Sequence, residues 1–255
     1  MPRDFNGTTS VLTCGTTLTL GGTFTFAIWM NPDGTGEGGS GRLLEKGNGT
    51  NYAVFFVTTN QATRFLADWS TTDGGWTSDT TNSTGVWTHA AMTYDDSSVA
   101  NDPIFYINGV ATTATETATP TLTRGAESGS FRVGNNSGAT RTFDGRLAYA
   151  QVFNRILSAV EIPQIMRWPG SITRGLIGFW PIWGGSPEGD YSGAGNSGTV
   201  TSANVHASDP PINGVYLVRQ ANLWQSGGIS TADASTVPQR LPAWEELTRT
   251  AGQVY

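Results

Sequence analysis

Thr23-Phe24-Thr25-Phe26-Ala27-Ile28-Trp29-Met30 alternates with a period of two. Phe24, Phe26, Ile28 and Met30 fall on one face, and Thr23, Thr25, Ala27 and Trp29 on the other. That is the pattern of a β-strand with one face on a core. Asn31-Pro32-Asp33-Gly34 ends the strand, and residues 35–41 read as a glycine-rich loop. Further strand-like runs follow at 52–57, 63–69, 86–94, 131–134 and 146–153. Between Ile104-Phe105-Tyr106-Ile107 and Val110-Ala111-Thr112-Thr113 stands Asn108-Gly109, two residues that tolerate positive φ and so predict a type I′ hairpin. One helix is signalled: Ser158-Ala159-Val160-Glu161 has the spacing of a capping box and leads into Ile162, Ile165 and Met166. Pro163 limits that helix to one or two turns. Many short strands with frequent turns and a single helical stub predict an all-β sandwich or barrel.

Composition narrows the function. The 255 residues carry 14 Lys+Arg against 20 Asp+Glu, a net charge of −6, and charged residues make up only 13%. With no Lys/Arg cluster in the sequence, nucleic-acid binding is not expected. No apolar run reaches the roughly 20 residues that a membrane-spanning helix needs, so membrane insertion is not expected either. Cys14 is the only cysteine, which excludes an internal disulfide and a thiolate metal cluster. Met1-Pro2-Arg3-Asp4 opens without a basic n-region or an apolar h-region, which predicts synthesis in the cytosol. Four N-x-S/T sequons, at Asn6, Asn48, Asn82 and Asn135, carry no weight without secretion.

Several motifs occur in a recognisable order: Phe5-Asn6-Gly7, the strand at 24–29, Gly85-Val86-Trp87-Thr88-His89-Ala90-Ala91-Met92-Thr93-Tyr94, Tyr106-Ile107-Asn108-Gly109, Phe143-Asp144-Gly145-Arg146-Leu147, and residues 154–162. Together they resemble a laminin G-like module of the concanavalin A-like lectin/glucanase superfamily, over roughly residues 3 to 166. The resemblance implies a jelly-roll sandwich of two antiparallel sheets, one of them concave. In it Trp29 and Trp87 are expected to fill the sandwich and His89 to be a hydrogen-bonded strand residue.

Two activities of the superfamily can be tested by residue. Its endo-β-glucanases carry Glu-x-Asp-x-x-Glu, because retaining hydrolysis needs two carboxylates about 5–5.5 Å apart. The one Glu-x-Asp here, Glu188-Gly189-Asp190, is followed by Tyr191-Ser192-Gly193, with glycine where the acid/base glutamate belongs. No enzymatic activity is expected. A structural calcium in many relatives uses an aspartate in the strand after Phe-Asp-Gly, and Ala148 occupies that position. No cofactor is therefore expected, with Asp144 and Asp33 kept as calcium candidates.

A sugar site needs an exposed aromatic beside short polar side chains, since sugar C–H faces pack on indole while amides and carboxylates take the hydroxyls. Trp76, Trp69, Asp68, Asp73 and Asn82 fit that composition, and Trp76, in a polar glycine-rich turn, is expected at the surface.

Residues 175–200 resemble a stretch that precedes the Phe-Asn-Gly start in many laminin G-like modules, as in a circular permutation or the opening of a second repeat that is never completed. The expected organisation is a sandwich at 1–168, a segment at 169–211 completing a sheet edge of its own or a neighbouring copy, and an extended arm at 212–255. Trp180, Trp224, Trp244 and Tyr255 are the expected assembly anchors. The resulting expectation is a non-enzymatic structural or adhesion protein at a phage virion surface, as a capsid decoration or tail-associated protein. It would be made in the host cytoplasm, oligomeric, bound to other virion subunits through its arm, and able to contact cell-surface glycans. A stand-alone, extracellular carbohydrate-binding module, or a glycoside hydrolase or lyase with an unrecognised carboxylate pair, are the alternatives.

Overall fold

The computed structural model describes residues 1–47 and 52–215. In chain order the strands are β1 (Arg3–Asn6), β2 (Val11–Thr13), β3 (Thr23–Pro32), β4 (Arg42–Gly47), β5 (Ala53–Val57), β6 (Ala62–Ala67), β7 (Gly74–Thr81) and β8 (Thr88–Asp95), then β9 (Ile104–Ile107), β10 (Val110–Thr112), β11 (Ala114–Ala118), β12 (Ser130–Val133), β13 (Asp144–Phe153), β14 (Leu176–Trp180), β15 (Thr199–Thr201) and β16 (Asn204–Val205). The single α-helix among the described residues, α1, is Glu161–Arg167.

The strands form two antiparallel eight-stranded sheets. The first runs β10-β9-β8-β3-β13-β1-β16 with β14 also on β13, and the second runs β11-β7-β6-β5-β4-β12-β2-β15. The expected sandwich is what the chain builds. Phe24, Phe26, Ile28 and Met30 of β3 face the interior, where they meet Phe55, Phe65, Trp76 and Phe131 of the second sheet. Phe26 meets Phe131 edge-on at 5.8 Å, and Phe24 meets Phe65 at 6.0 Å. Each such ring, fully buried, contributes about 1.5–3 kcal/mol.

The other face of β3 is buried as well, contrary to simple alternation. Ala27, Trp29, Ala91, Tyr106, Ala148, Phe153 and Phe179 form a second apolar layer, onto which α1 lays Ile162 and Ile165. Thr25 is accommodated there because its hydroxyl donates to the Arg155 carbonyl (2.7 Å) and accepts from the Leu157 N–H (3.0 Å). The capping box at α1 forms by half. The Glu161 carboxylate accepts from the Ser158 N–H at 2.8 Å, but the Ser158 hydroxyl also donates to it, and the Glu161 N–H goes to the Ser158 carbonyl. The hairpin at Asn108-Gly109 is as expected, with φ of 51° and 81°.

Residues 176–205 add to edges of this same sandwich. Strand β13 pairs its first half with β1 and its second half with β14, so the two lie end to end along it. Strand β15 extends the second sheet beyond β2, and β16 extends the first beyond β1. Trp180, expected as an assembly anchor, is instead core: it is fully buried, stacked on Phe131 at 5.4 Å, with its indole N–H on the Asn196 carbonyl. The reason is local. Gly178 lies on the same face two residues earlier, and a Cβ there would come within 2.3 Å of the indole. Trp224, Trp244 and Tyr255 lie outside the described residues.

Candidate functional site

The expected platform of Trp76, Trp69, Asp68, Asp73 and Asn82 does not form. Trp76 is 1% exposed, stacked on Phe65 at 6.0 Å, and its indole N–H donates to Asp102 at 2.7 Å. It turns inward because β7 begins at Gly74, and the missing Cβ there leaves the space its own indole fills. Trp69 is also buried, its main-chain N–H taken by the Asp73 carboxylate at 3.1 Å. Asn82 is buried with its amide on the Gln61 carbonyl, and the Asp68 main-chain carbonyl accepts from the Gly125 N–H. Asp68, Trp69 and Asp73 lie at the β6–β7 turn and Asn82 at the opposite end of the same strand pair, so the five do not converge, and neither indole is presented to solvent.

The structure places a different set of side chains together, on the outer face of the first sheet. Trp29 reaches that face from β3, and Trp87 just precedes β8. Asn108 sits in the β9–β10 turn, Met166 and Arg167 in the last turn of α1, and Pro211 and Asn213 in the segment after β16. They line an open cleft of about 420 Å³. Four hydrogen bonds fix its walls. The Trp29 indole donates to the Met166 carbonyl at 3.1 Å, and the Trp87 indole to the Ser208 hydroxyl at 3.4 Å. The Asn213 N–H donates to the Arg167 carbonyl at 2.8 Å. The Asn108 carboxamide oxygen accepts the main-chain N–H of His89 at 2.9 Å.

Trp29 is nearly buried, whereas Trp87 is half-buried and Asn108, Arg167 and Asn213 are exposed. The arrangement can hold a ligand that is apolar on one face and rich in hydroxyls on its edges. The polar side chains that line the cleft are those of Asn108, Arg167 and Asn213.

His89 lies beneath this cleft, 5.4 Å from the Trp29 ring. It was expected to be hydrogen-bonded, but only its main chain is: neither ring nitrogen has a partner among the described residues. Complete burial pushes its pKa down to about 3, so it is a neutral imidazole at ordinary pH and packs as an aromatic.

The carboxylates singled out in the sequence are engaged in the fold. Fully buried Glu188 accepts from Arg3 at 3.4 Å and from the Trp183 N–H at 3.0 Å. Asp190 accepts from the N–H groups of Phe179, Ser192 and Asn196 at 2.8–2.9 Å. Asp144 and Asp33 do meet: the Asp144 main-chain carbonyl accepts from the Asp33 N–H, and burial together with Asp33 and Asp4 raises the Asp144 carboxyl. Arg146 already pairs with Asp33. No group of three or more His, Cys, Asp or Glu side chains placed to hold a metal occurs among the described residues. Ala148, at the relatives' calcium position, is buried opposite Trp29.

The two packed antiparallel sheets define a β-sandwich. Residues 5–163, well over half of the chain, match the Laminin G 3 family, described as the concanavalin A-like lectin/glucanases superfamily. The chain belongs to that superfamily. Among solved structures, a candidate carbohydrate-binding protein from Bacteroides ovatus superposes with a TM-score of 0.61 at 15% identity, over 83% of this chain and 60% of that one. The heptameric SAP-like pentraxin of Limulus polyphemus gives a TM-score of 0.45 at 13% identity over 64% of this chain and 80% of that one. The CBM40 module of the Ruminococcus gnavus IT-sialidase, bound to α2,3-sialyllactose, gives 0.45 at 17% identity over 56% and 82%. At these identities the likeness is one of fold, and this chain spans 60% of the length of the Bacteroides protein. Curated proteins gave no match.

Proposed function

We propose that this chain is a non-catalytic carbohydrate-binding sandwich whose ligand seats in the outer-face cleft, with Trp87 as the sugar platform. One observation carries the reading: a half-buried indole, two carboxamides and a guanidinium converge in one open cleft on a rigid sheet. The fold likeness to the candidate carbohydrate-binding protein of Bacteroides ovatus supports it. So does the engagement of Glu188 and Asp190 by backbone N–H groups, which leaves neither carboxylate free to act on a substrate. A glycan array with the full chain and with Trp87→Ala tests it. The reading expects a hit that falls at least about tenfold on loss of the indole, because stacking and burial at such a site are worth upward of 1.4 kcal/mol. Binding unchanged in Trp87→Ala would refute it.

The finer reading keeps the module on a phage virion surface, attached to other subunits through residues 212–255. Its support is the family resemblance together with an aromatic-bearing tail sequence. It predicts that a chain ended after residue 215 no longer co-sediments with assembled particles, while the full chain does.

A further inference from the structure

The chain carries four Asn-Gly pairs, beginning at Asn6, Asn48, Asn108 and Asn213. Asn48 lies outside the described residues, and the other three pairs lie within them. Glycine has no side chain to shield its main-chain nitrogen, so in this pair that nitrogen reaches the preceding carboxamide most easily. In a folded chain the outcome depends on how firmly the carboxamide is held, and there the three pairs differ.

Asn6 and Asn108 are held. The Asn6 carboxamide oxygen accepts from the N–H groups of Thr8, Thr9 and Ser10 at 3.0, 2.8 and 3.2 Å, and its Nδ2 donates to the Thr9 hydroxyl at 2.9 Å. The Gly7 N–H is itself taken by the Phe143 carbonyl at 3.1 Å. The Asn108 carboxamide oxygen accepts from the His89 N–H at 2.9 Å, and the Asn108 N–H donates to the His89 carbonyl at 2.8 Å, which fixes that residue against β8 at both ends. Asn213 has no such restraint. It is exposed, and neither its side chain nor the Gly214 N–H makes a hydrogen bond among the described residues. Only its main-chain N–H is anchored, on the Arg167 carbonyl at 2.8 Å. A Cβ added at Gly214 would meet nothing nearer than the Trp168 ring at 3.9 Å, so the space around the two reacting groups is open.

The position gives the reaction a consequence. Asn213 lines the outer-face cleft, in which Arg167 is the only charged lining residue and has no ion-pair partner among the described residues. We propose that Asn213 is a site of spontaneous deamidation, through which the cleft acquires a carboxylate to balance Arg167. The Gly214 main-chain nitrogen loses its proton and bonds to Cγ of Asn213. The Cγ–Nδ2 bond breaks, and Nδ2 leaves as ammonia carrying a proton in place of that bond. Water then opens the cyclic imide at either carbonyl, returning the proton to the Gly214 nitrogen and leaving aspartate or isoaspartate at 213. One water enters and one ammonia departs, with no oxidant or cofactor. In the isoaspartate product the main chain gains a methylene between the N–H that holds Arg167 and Val215, which packs on the second apolar layer. The chemistry does not depend on what the cleft binds.

The test is a time course of the full chain at mildly alkaline pH, where more of the Gly214 nitrogen is deprotonated, folded and in urea. Peptide mapping by mass spectrometry, with fragmentation that separates aspartate from isoaspartate, reads each Asn-Gly pair. In the folded chain conversion at Asn213 is expected to run well ahead of that at Asn6 and Asn108, with a species one charge more negative than the parent's −6 accumulating on isoelectric focusing. In urea the three pairs are expected to convert at similar rates. Gly214→Ala fits the open space at that position and is expected to slow conversion at 213 severalfold, because its methyl group hinders attack. An amide retained at 213 in the folded chain, conversion at Asn6 or Asn108 that equals it, or the same lead for Asn213 in urea would overturn the proposal. Peptide mapping reads no ligand, so a failed glycan array bears on the cleft's function and not on this site.

Discussion

The indole N–H of Trp29 donates to the main-chain carbonyl of Met166 at 3.1 Å, latching the central strand β3 to the last turn of α1. A second latch comes from β13, where Gln151 donates to the Ile165 carbonyl and accepts from the Gly170 N–H at 2.9 Å. Together they hold Arg167 over the sheet, and with it one wall of the cleft. Trp29→Phe keeps an aromatic beside His89 but removes the donor. It is expected to lower stability by about 1–2 kcal/mol in urea unfolding and to weaken ligand binding at the cleft.

Trp76 separates a surface reading from a core reading. Because its indole is fully buried among Phe65 and Tyr94, Trp76→Ala is expected to cost about 3–5 kcal/mol in a denaturant titration. A surface platform would lose binding and leave stability within about 0.5 kcal/mol.

His89 gives the stability a pH dependence. Its folded pKa of about 3 lies below the ordinary 6.5, so between those values the unfolded chain binds a proton that the folded chain refuses. Stability is complete above about pH 6.5 and falls as the pH drops toward 3, by at most about 1.4 kcal/mol per pH unit. Glu161, held near 2 chiefly by its Arg155 hydrogen bonds, contributes stability that is lost only as the pH falls below about 4.5. Between pH 6 and 5 the slope is therefore expected to shrink in His89→Gln, measured by urea unfolding across that range.

Arg3 and Glu188 form a buried pair at 3.4 Å that joins β1 to the loop after β14. Arg3 also donates to the Ala203 carbonyl at 2.6 Å. Arg3→Met leaves a buried carboxylate without its cation and is expected to cost about 3–5 kcal/mol, whereas replacing both partners by apolar residues is expected to cost less. A double-mutant cycle reads the difference.

Ending the chain after residue 175 removes β14, and with it Trp180 from its stack on Phe131. Such a chain is expected to lose cooperative thermal unfolding. A sharp melt would mean that β14 is dispensable.

The fold was legible wherever side-chain period alone decides it: β3 and the Asn108-Gly109 hairpin lie where the alternation and the turn pair put them, whereas α1 starts two residues later than the capping sequence puts it, with Val160 and not Ser158 at its N-cap. Position relative to other layers was not legible. Trp76 in a glycine-rich stretch resembles a turn residue, and only the sheet register reveals that Gly74 clears space for its ring. Gly178 and Trp180 repeat the device, so glycine two residues before tryptophan within a strand was the readable sign of an inward indole. The cleft left no such sign. Its walls come from β3, the start of β8, a hairpin turn, a helix end and the segment at 211–213, which are adjacent only after the sandwich closes.

The most direct test of glycan binding at the cleft is an amide and indole N–H NMR titration of the full chain with a neutral glycan selected on the array. Shifts of the Trp87 indole and the Asn108 and Asn213 side-chain signals, with those of Trp76 and Trp180 unmoved, are the predicted result. Saturable binding that leaves the Trp87, Asn108 and Asn213 signals in place would contradict it.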